Sequence, residues 1–408
     1  HSSRRPAAAD ECLRRARAAL RRVGTEHEVK SRVHRITGLI LTDVGEFSAA
    51  IPHLKRALTE ARAAGSAIAL MRSYSAIGIV YRSLYRHADS LRAVNAAMRI
   101  ARRLAIPASI GTQLMNMGAI NFDRGEYNAL NRDLLEASSL FWRAGSLRLY
   151  SQCLTNLGLI KTEIADYEGA YDYLDRALSI QTENDYSVLA ATTKSVMIST
   201  MLHSGRISDA VDLAGANLRQ AKRTGSSREL LMALKDMGDA LLTEGRLDEA
   251  AAPLRAALKG FRRIGEKDEI CECLTRLAAL EERAGDGRSA ISLSREAVSL
   301  ARSLKSKPAL LKALLSTTPR YAAEMRAVRR LSSQIESPEL RWRAHAACAE
   351  HFIHRGKMAE GLEEYNRCLG VFRSVTADIA DPSLREYYIN HPQRLEVLSR
   401  MQKLGRTA

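Results

Sequence analysis

Aromatic residues are scarce: 2 Trp, 6 Phe and 13 Tyr make up 5% of 408 residues. Few side chains are left to stack nucleobases, which counts against a single-strand nucleic-acid platform. Cysteine is equally sparse, and its six positions (Cys12, Cys153, Cys271, Cys273, Cys348, Cys368) are spread too widely for a disulfide framework, which fits a reducing compartment. No stretch approaches the roughly 18 to 20 apolar residues of a membrane-spanning helix. The arginine-rich start lacks the apolar segment of a secretory signal. We therefore expect a cytoplasmic protein with no membrane partner. The chain begins at His1 and not at methionine, which suggests a piece of something longer. No glycine-rich phosphate loop and no paired nucleophile and base occur, so neither an enzyme nor a cofactor is expected.

What is present is an ordinary apolar fraction, 46%, which excludes disorder as the main state, and 62 Lys and Arg against 46 Asp and Glu, a net +16. Above all there is a period. Gly38, Gly78, Gly118, Gly158 and Gly238 recur every 40 residues, with Ile198 and Ala278 in the remaining slots. Seven residues on, Gly45, Gly125, Gly205, Gly245 and Gly285 form a second series, with Tyr85 and Ala165 as exceptions. Ala50, Ser90, Leu130, Ala170, Ala210, Ala250 and Ala290 form a third, and Ala57, Ala97, Ala137, Ala177, Asn217, Ala257 and Ala297 a fourth. Apolar residues such as Ile77, Val80 and Leu84 recur at helical spacing, a turn follows, and a second apolar stripe comes after it. Each unit thus reads as a helix pair. Glycine closes the first helix, and small residues let the two helices approach.

These residues resemble the tetratricopeptide repeat, whose helix pair carries a small residue in the first helix, glycine near the turn and alanines in the second helix. Gly78 with Tyr81, and Gly125 with Tyr127 and Ala137, fit that pattern, and Phe47, Tyr127, Tyr167 and Leu247 fill its position just after the turn. The unit is 40 residues long where the family's usual one is about 34. That length is similar to the long repeats of kinesin light chains, peptide-sensing bacterial regulators and the C-terminal arrays of large bacterial signalling ATPases and transcription activators. The resemblance implies an all-α, right-handed α-solenoid. We expect the solenoid over residues 1–375, with a partial unit at 1–30, seven regular units over 31–306, an irregular unit at 307–340 and a last unit at 341–375. Thr318-Pro319 is expected to start a helix through Met325 and Leu331, and capping helices are expected over 376–408.

A helix-pair array offers an extended surface suited to peptides and proteins. The resemblance implies that the first helix of each unit lines it. The lining at helical spacing then includes Arg32, Arg35, Arg72 and Arg82 early in the chain, Asn116 and Asn156 one period apart, and His203 and Asp239 further on. This predicts a groove that is basic at first and neutral to acidic later. An asparagine amide both donates and accepts, so Asn116 and Asn156 are candidates to clamp a peptide backbone, or else bond within their own helix layer. The expected partner is a protein or peptide, and the expected role a scaffold or sensor module in a larger bacterial signalling or transcription-regulating protein. The sequence leaves the oligomeric state open.

The alternative partner is nucleic acid. Residues 1–40 hold ten Lys and Arg against four acids, and residues 307–345 hold eight against three. Arg14, Arg17 and Arg21 share a helix face, as do Arg326, Arg329 and Arg330. A nucleic-acid-associated regulator could use these faces, although no helix-turn-helix, zinc or oligonucleotide-binding motif accompanies them. Cys348 and His351 lie three apart with His345 upstream, a spacing some metal sites use, but no second cluster completes four ligands. No metal is expected.

Overall fold

The computed structural model describes residues 7–22, 26–317 and 322–405. The expected helix start at Thr318-Pro319 and the side chains of Arg17 and Arg21 lie outside the described residues. Among the described residues every regular element is a helix, and no helix is long and apolar enough to cross a membrane.

After α1 (Ala7–Arg22) come seven pairs: α2 (His27–Asp43) with α3 (Phe47–Ala63), α4 (Ala67–Ser83) with α5 (His87–Arg103), α6 (Pro107–Arg124) with α7 (Tyr127–Arg143), α8 (Leu147–Glu163) with α9 (Tyr167–Glu183), α10 (Ser187–Ser204) with α11 (Ile207–Thr224), α12 (Ser227–Glu244) with α13 (Leu247–Ile264), and α14 (Lys267–Ala284) with α15 (Gly287–Leu304). Then follow α16 (Lys307–Leu314), α17 (Ala322–Ser332), α18 (Pro338–His354), α19 (Met358–Asp378), α20 (Pro382–Ile389) and α21 (Pro392–Gly405). The first helices of successive pairs start 40 residues apart, from His27 to Lys267.

The four sequence registers have separate physical jobs. The third and fourth are the buried seam of the second helix, where Ala50, Ala57, Ala170, Ala177, Ala250 and Ala257 are all fully covered. The first is a slot for one side chain of that helix. A Cβ at Gly38 would stand 2.6 Å from Leu54, at Gly158 2.5 Å from Leu174, and at Gly238 2.5 Å from Leu254. Each glycine faces the residue 16 positions later. One exception reverses the rule: at the Ile198 position, 1% exposed, the corresponding residue of the second helix is Ala214. A large side chain on one helix thus meets a small one on the other, as a close-packed core requires.

The second register needs the left-handed backbone. Gly45, Gly125, Gly205, Gly245 and Gly285 have φ between 75° and 97°, and Tyr85 and Ala165 take φ of 56° and 63° at the same point. Turn geometry therefore outweighs the strain that a side chain suffers there.

The helices gather into two compact units. The first comprises α1–α5, most of α6 and α7, and the stretch Arg263–Glu266; the second comprises the end of α6, the start of α7, and the remainder from α8 to α21. In the first unit Leu41, Leu54, Leu58, Ile77 and Val80 form one core, with Leu13 of α1 packed into it.

In the second unit the C-terminal helices do more than seal the last pair. On α21, Val397, Leu398 and Met401 cover Trp342, Tyr365 and Phe372 of α18 and α19, as a cap should. The segment before α21 runs instead over the turns of much earlier pairs. Glu336 takes the Gly125 carbonyl at 3.0 Å through its backbone N–H, and its carboxylate accepts from the Asn128 N–H at 2.7 Å. Ile379, Leu384 and Tyr388 pack on Ala165 and Tyr167. A Cβ at Gly205 would stand 2.1 Å from the Tyr387 carbonyl oxygen, so this glycine serves close approach as well as φ.

The slot rule has a direct test. Gly158→Ala should lower unfolding free energy in urea by about 1–3 kcal/mol through overpacking against Leu174. Combined with Leu174→Ala, it should cost clearly less than the two single losses added together, and strict additivity would contradict the pairing.

Candidate functional site

The first unit has an open cleft of about 530 Å³ between α2 and α4. Arg32 and Arg35 reach it from one face of α2, three residues apart, and Arg72 stands one period after Arg32 on α4. Glu26, His27 and Glu28 line it where α2 begins, and Ile68, 45% exposed, adds an apolar contact. Of the nearby acids, Glu28 accepts from the Ser66 hydroxyl at 3.1 Å and Glu60 binds His27 at 2.7 Å. None of the three arginines forms an ion pair with a described residue. Burial, reinforced by the charges of Arg72 and Arg32, pulls the Arg35 pKa below its ordinary value. The cleft thus gathers three guanidinium groups that no described carboxylate pairs with directly.

The other expected binding residues are dispersed. Arg82 is half-buried in the last turn of α4, outside the cleft lining. The Asn116 amide on α6 donates to the Ser75 hydroxyl at 3.3 Å and to Gln113 at 3.5 Å, so it bonds within its own helix layer. Asn156 on α8 is half-buried with no described side-chain partner.

His203 and Asp239 belong to the second unit, where the chain covers its own inner face. Both line a cavity of about 70 Å³ whose other wall is Glu339 and Arg343 of α18 with His391 and Gln393 at the start of α21. Asp239 is ion-paired to Arg276 at 3.0 Å, and the backbone carbonyl of His203 accepts from Arg394 at 2.7 Å. The sequence reading left this face free for a ligand; here the C-terminal helices occupy it. Nor is it acidic. Lys312 meets Glu163 at 3.4 Å, Lys235 meets Glu269 at 2.7 Å, and Arg276 and Arg343 add positive charge. Arg276 could have been found, since it stands on the same register as Asn116 and Asn156. Glu339, Arg343 and Arg394 lie outside the regular repeats, where periodicity carries no signal.

Arg394 holds this arrangement. It is 1% exposed, pairs with Glu339 at 2.9 Å, donates to the carbonyls of Tyr388 and His203, and lies 3.6 Å from the Tyr388 ring centroid. Burial alone would raise the Glu339 carboxyl, but the Arg394 charge outweighs it and holds the group down at about 2. Burial, with Arg394 next, pushes His391 down to about 3. Its neutral Nδ1 accepts from the Gln393 N–H at 3.2 Å and caps α21.

The basic faces and the cysteines show ordinary packing. Arg14 pairs with Glu11 at 2.6 Å and Arg329 with Glu364 at 3.5 Å, while Arg326 and Arg330 are exposed. Cys348 is buried with its thiol pushed up to about 12 by desolvation, and His345 binds Glu364 at 2.7 Å. Among the described residues no group of three or more His, Cys, Asp or Glu is placed to hold a metal ion.

The paired helices, glycine slots and left-handed turns define a protein of the tetratricopeptide-like helical-repeat class. No family model matches the sequence, and no curated protein matches it either. Solved structures do. A Rap protein complexed with competence and sporulation factor superposes with a TM-score of 0.65 at 12% identity, over 86% of this chain and 99% of that one. The Rap conjugation gene regulator of plasmid pLS20, in complex with the Phr* peptide, gives 0.56 at 12% identity, over 78% and 94%. At these identities the likeness is one of fold.

Acid should loosen the C-terminal helices. Because His391 titrates near 3 in the fold and near 6.5 unfolded, the unfolded chain binds the extra proton between those values, so stability falls as pH drops through that window. Asp236, raised to about 6 mainly by burial, works in the opposite direction. The comparison that isolates His391 is with His391→Asn, which keeps a capping acceptor and cannot titrate. Between neutral pH and pH 5 the unaltered chain should lose about 2 kcal/mol more than this variant in urea titrations. Parallel pH profiles would contradict the assignment.

Proposed function

We propose that the protein is a peptide- or protein-binding sensor or scaffold, and that its ligand enters the arginine cleft of the first unit through an acidic segment. The observation that carries this reading is the convergence of Arg32, Arg35 and Arg72 on one open cleft without an ion-pair partner among the described residues. Free guanidinium groups favour carboxylates, which they take in a bidentate fork. The cleft has room for several side chains, and Ile68 supplies an apolar contact beside the charges. The fold supports the reading as well: one structure of similar fold, the pLS20 regulator, is described in complex with a peptide. In this view Asn116 is a secondary contact, and His203 and Asp239 act inside the protein. The long repeat resembles arrays of signalling and transcription-regulating proteins, so the module would report its ligand to an attached effector by favouring one arrangement of its helices.

The test is fluorescence anisotropy with a labelled peptide of alternating glutamate and leucine. Binding should weaken with added salt, and the combined change Arg32→Gln, Arg35→Gln and Arg72→Gln should weaken it by about tenfold or more with little change in melting temperature. Equal binding by that variant, or by a peptide with glutamine in place of glutamate, would refute the reading. Tighter binding of a single-stranded oligonucleotide, lost in the same variant, would replace it with the nucleic-acid alternative.

A further inference from the structure

The small cavity of the second unit holds a guanidinium that no described residue pairs with directly. Its volume of about 70 Å³ suits a few waters or one small ion and falls short of a nucleotide. Three arginines line it. Arg276 is paired with Asp239 at 3.0 Å, the Arg283 guanidinium donates to the Leu242 carbonyl, and Glu339 is taken by Arg394 at 2.9 Å. Arg343 makes no ion pair or hydrogen bond with any described residue. Burial, followed by the charge of Arg276, pulls its pKa below the ordinary value, although Glu339, Asp239 and Glu272 offset part of this. In the same lining, Nδ1 of His203 is buried without a hydrogen-bond partner. A cation without a direct partner and an orphaned ring nitrogen each cost free energy. One anion could satisfy both, with His203 neutral and protonated on Nδ1.

We propose that this cavity binds a single small oxyanion of the inorganic phosphate or sulfate class, held by Arg343 and His203 with the Gln393 amide at its edge. Several oxygens suit this set better than chloride does, because a guanidinium fork, a ring N–H and a side-chain amide offer donors in different directions. The three residues come from α18, α10 and α21, so the anion bridges the C-terminal helices to the older pairs they cover. Free phosphate would thereby tighten the closure of the inner face. This site is independent of the peptide-binding reading, since it uses none of the arginines of the first unit.

Thermal melts of the full chain in inorganic phosphate, set against sodium chloride at equal ionic strength, test the site. The midpoint should rise by about 3 °C in phosphate. The rise should vanish in Arg343→Met, whose midpoint in chloride should equal or exceed that of the unaltered chain, and should survive in part in Arg343→Lys. The triple arginine variant of the first unit should keep the full rise, so that failure of the peptide reading and failure of this one give different patterns. Equal midpoints in phosphate and chloride, a rise that persists in Arg343→Met, or its loss in the triple variant would overturn the proposal. Should Arg343→Met not fold, calorimetric titration of the unaltered chain with phosphate decides: one site supports the proposal, and no heat of binding overturns it.

Discussion

One buried ion pair governs the second unit. Arg394 and Glu339 are each nearly sealed from solvent, and an isolated charge at either position would be strongly disfavoured. Their positions are therefore coupled: α18 and α21 must come together for either group to be tolerated. The guanidinium has donors to spare, and it spends them on the carbonyls of Tyr388 and His203. The carbonyl of His203 lies at the end of α10, some 190 residues earlier in the chain, so one side chain ties the C-terminal helices to a pair in the middle of the array. Such a pair adds little net stability compared with an apolar substitute, but it specifies one arrangement, because every misplaced alternative leaves a charge unpaired. The glycines at the turns fit this demand. Gly205 lets the Tyr387 backbone come closer than a Cβ would permit.

The consequence for function is a division of labour. In the second unit the face shared by the first helices is lined with acids that the sequence pattern exposes, yet Lys312, Lys235, Arg276 and Arg394 already neutralise them. What a ligand would contact there, the protein contacts itself. In the first unit the corresponding helices carry Arg32, Arg35 and Arg72, none of which is ion-paired to a described residue. Unbalanced charge beside an open cleft is a better sign of a binding surface than charge alone, because a compensated charge has little left to offer a partner.

Much of the fold was legible because each repeated unit is short and solves the same packing problem. The small residue at Gly38 or Gly158 is readable as a slot, and even its replacement by Ile198 makes sense once Ala214 is seen opposite. Left-handed turns were marked by glycine in five cases of seven, and the period located Tyr85 and Ala165 in the others. The arginine cleft was visible in outline, since Arg32 and Arg72 are one period apart. The occupied inner face was not visible. Arg394 bonds to the His203 carbonyl of a regular pair while Glu339 and Arg343 line the cavity beside it, and such long-range pairing leaves no mark in a periodic pattern. Asn116 illustrates the limit at close range: its register was readable, but its bond to Ser75 depends on how two neighbouring helices pack.

The most direct measurement of the central claim is hydrogen exchange of the full chain with and without Arg394→Met. If Arg394 locks the C-terminal helices onto the middle pairs, the amides of α20 and α21 and those around the turn after His203 should lose protection together, while the first unit keeps its own. Loss confined to α21, or unchanged protection at the His203 turn, would contradict the account.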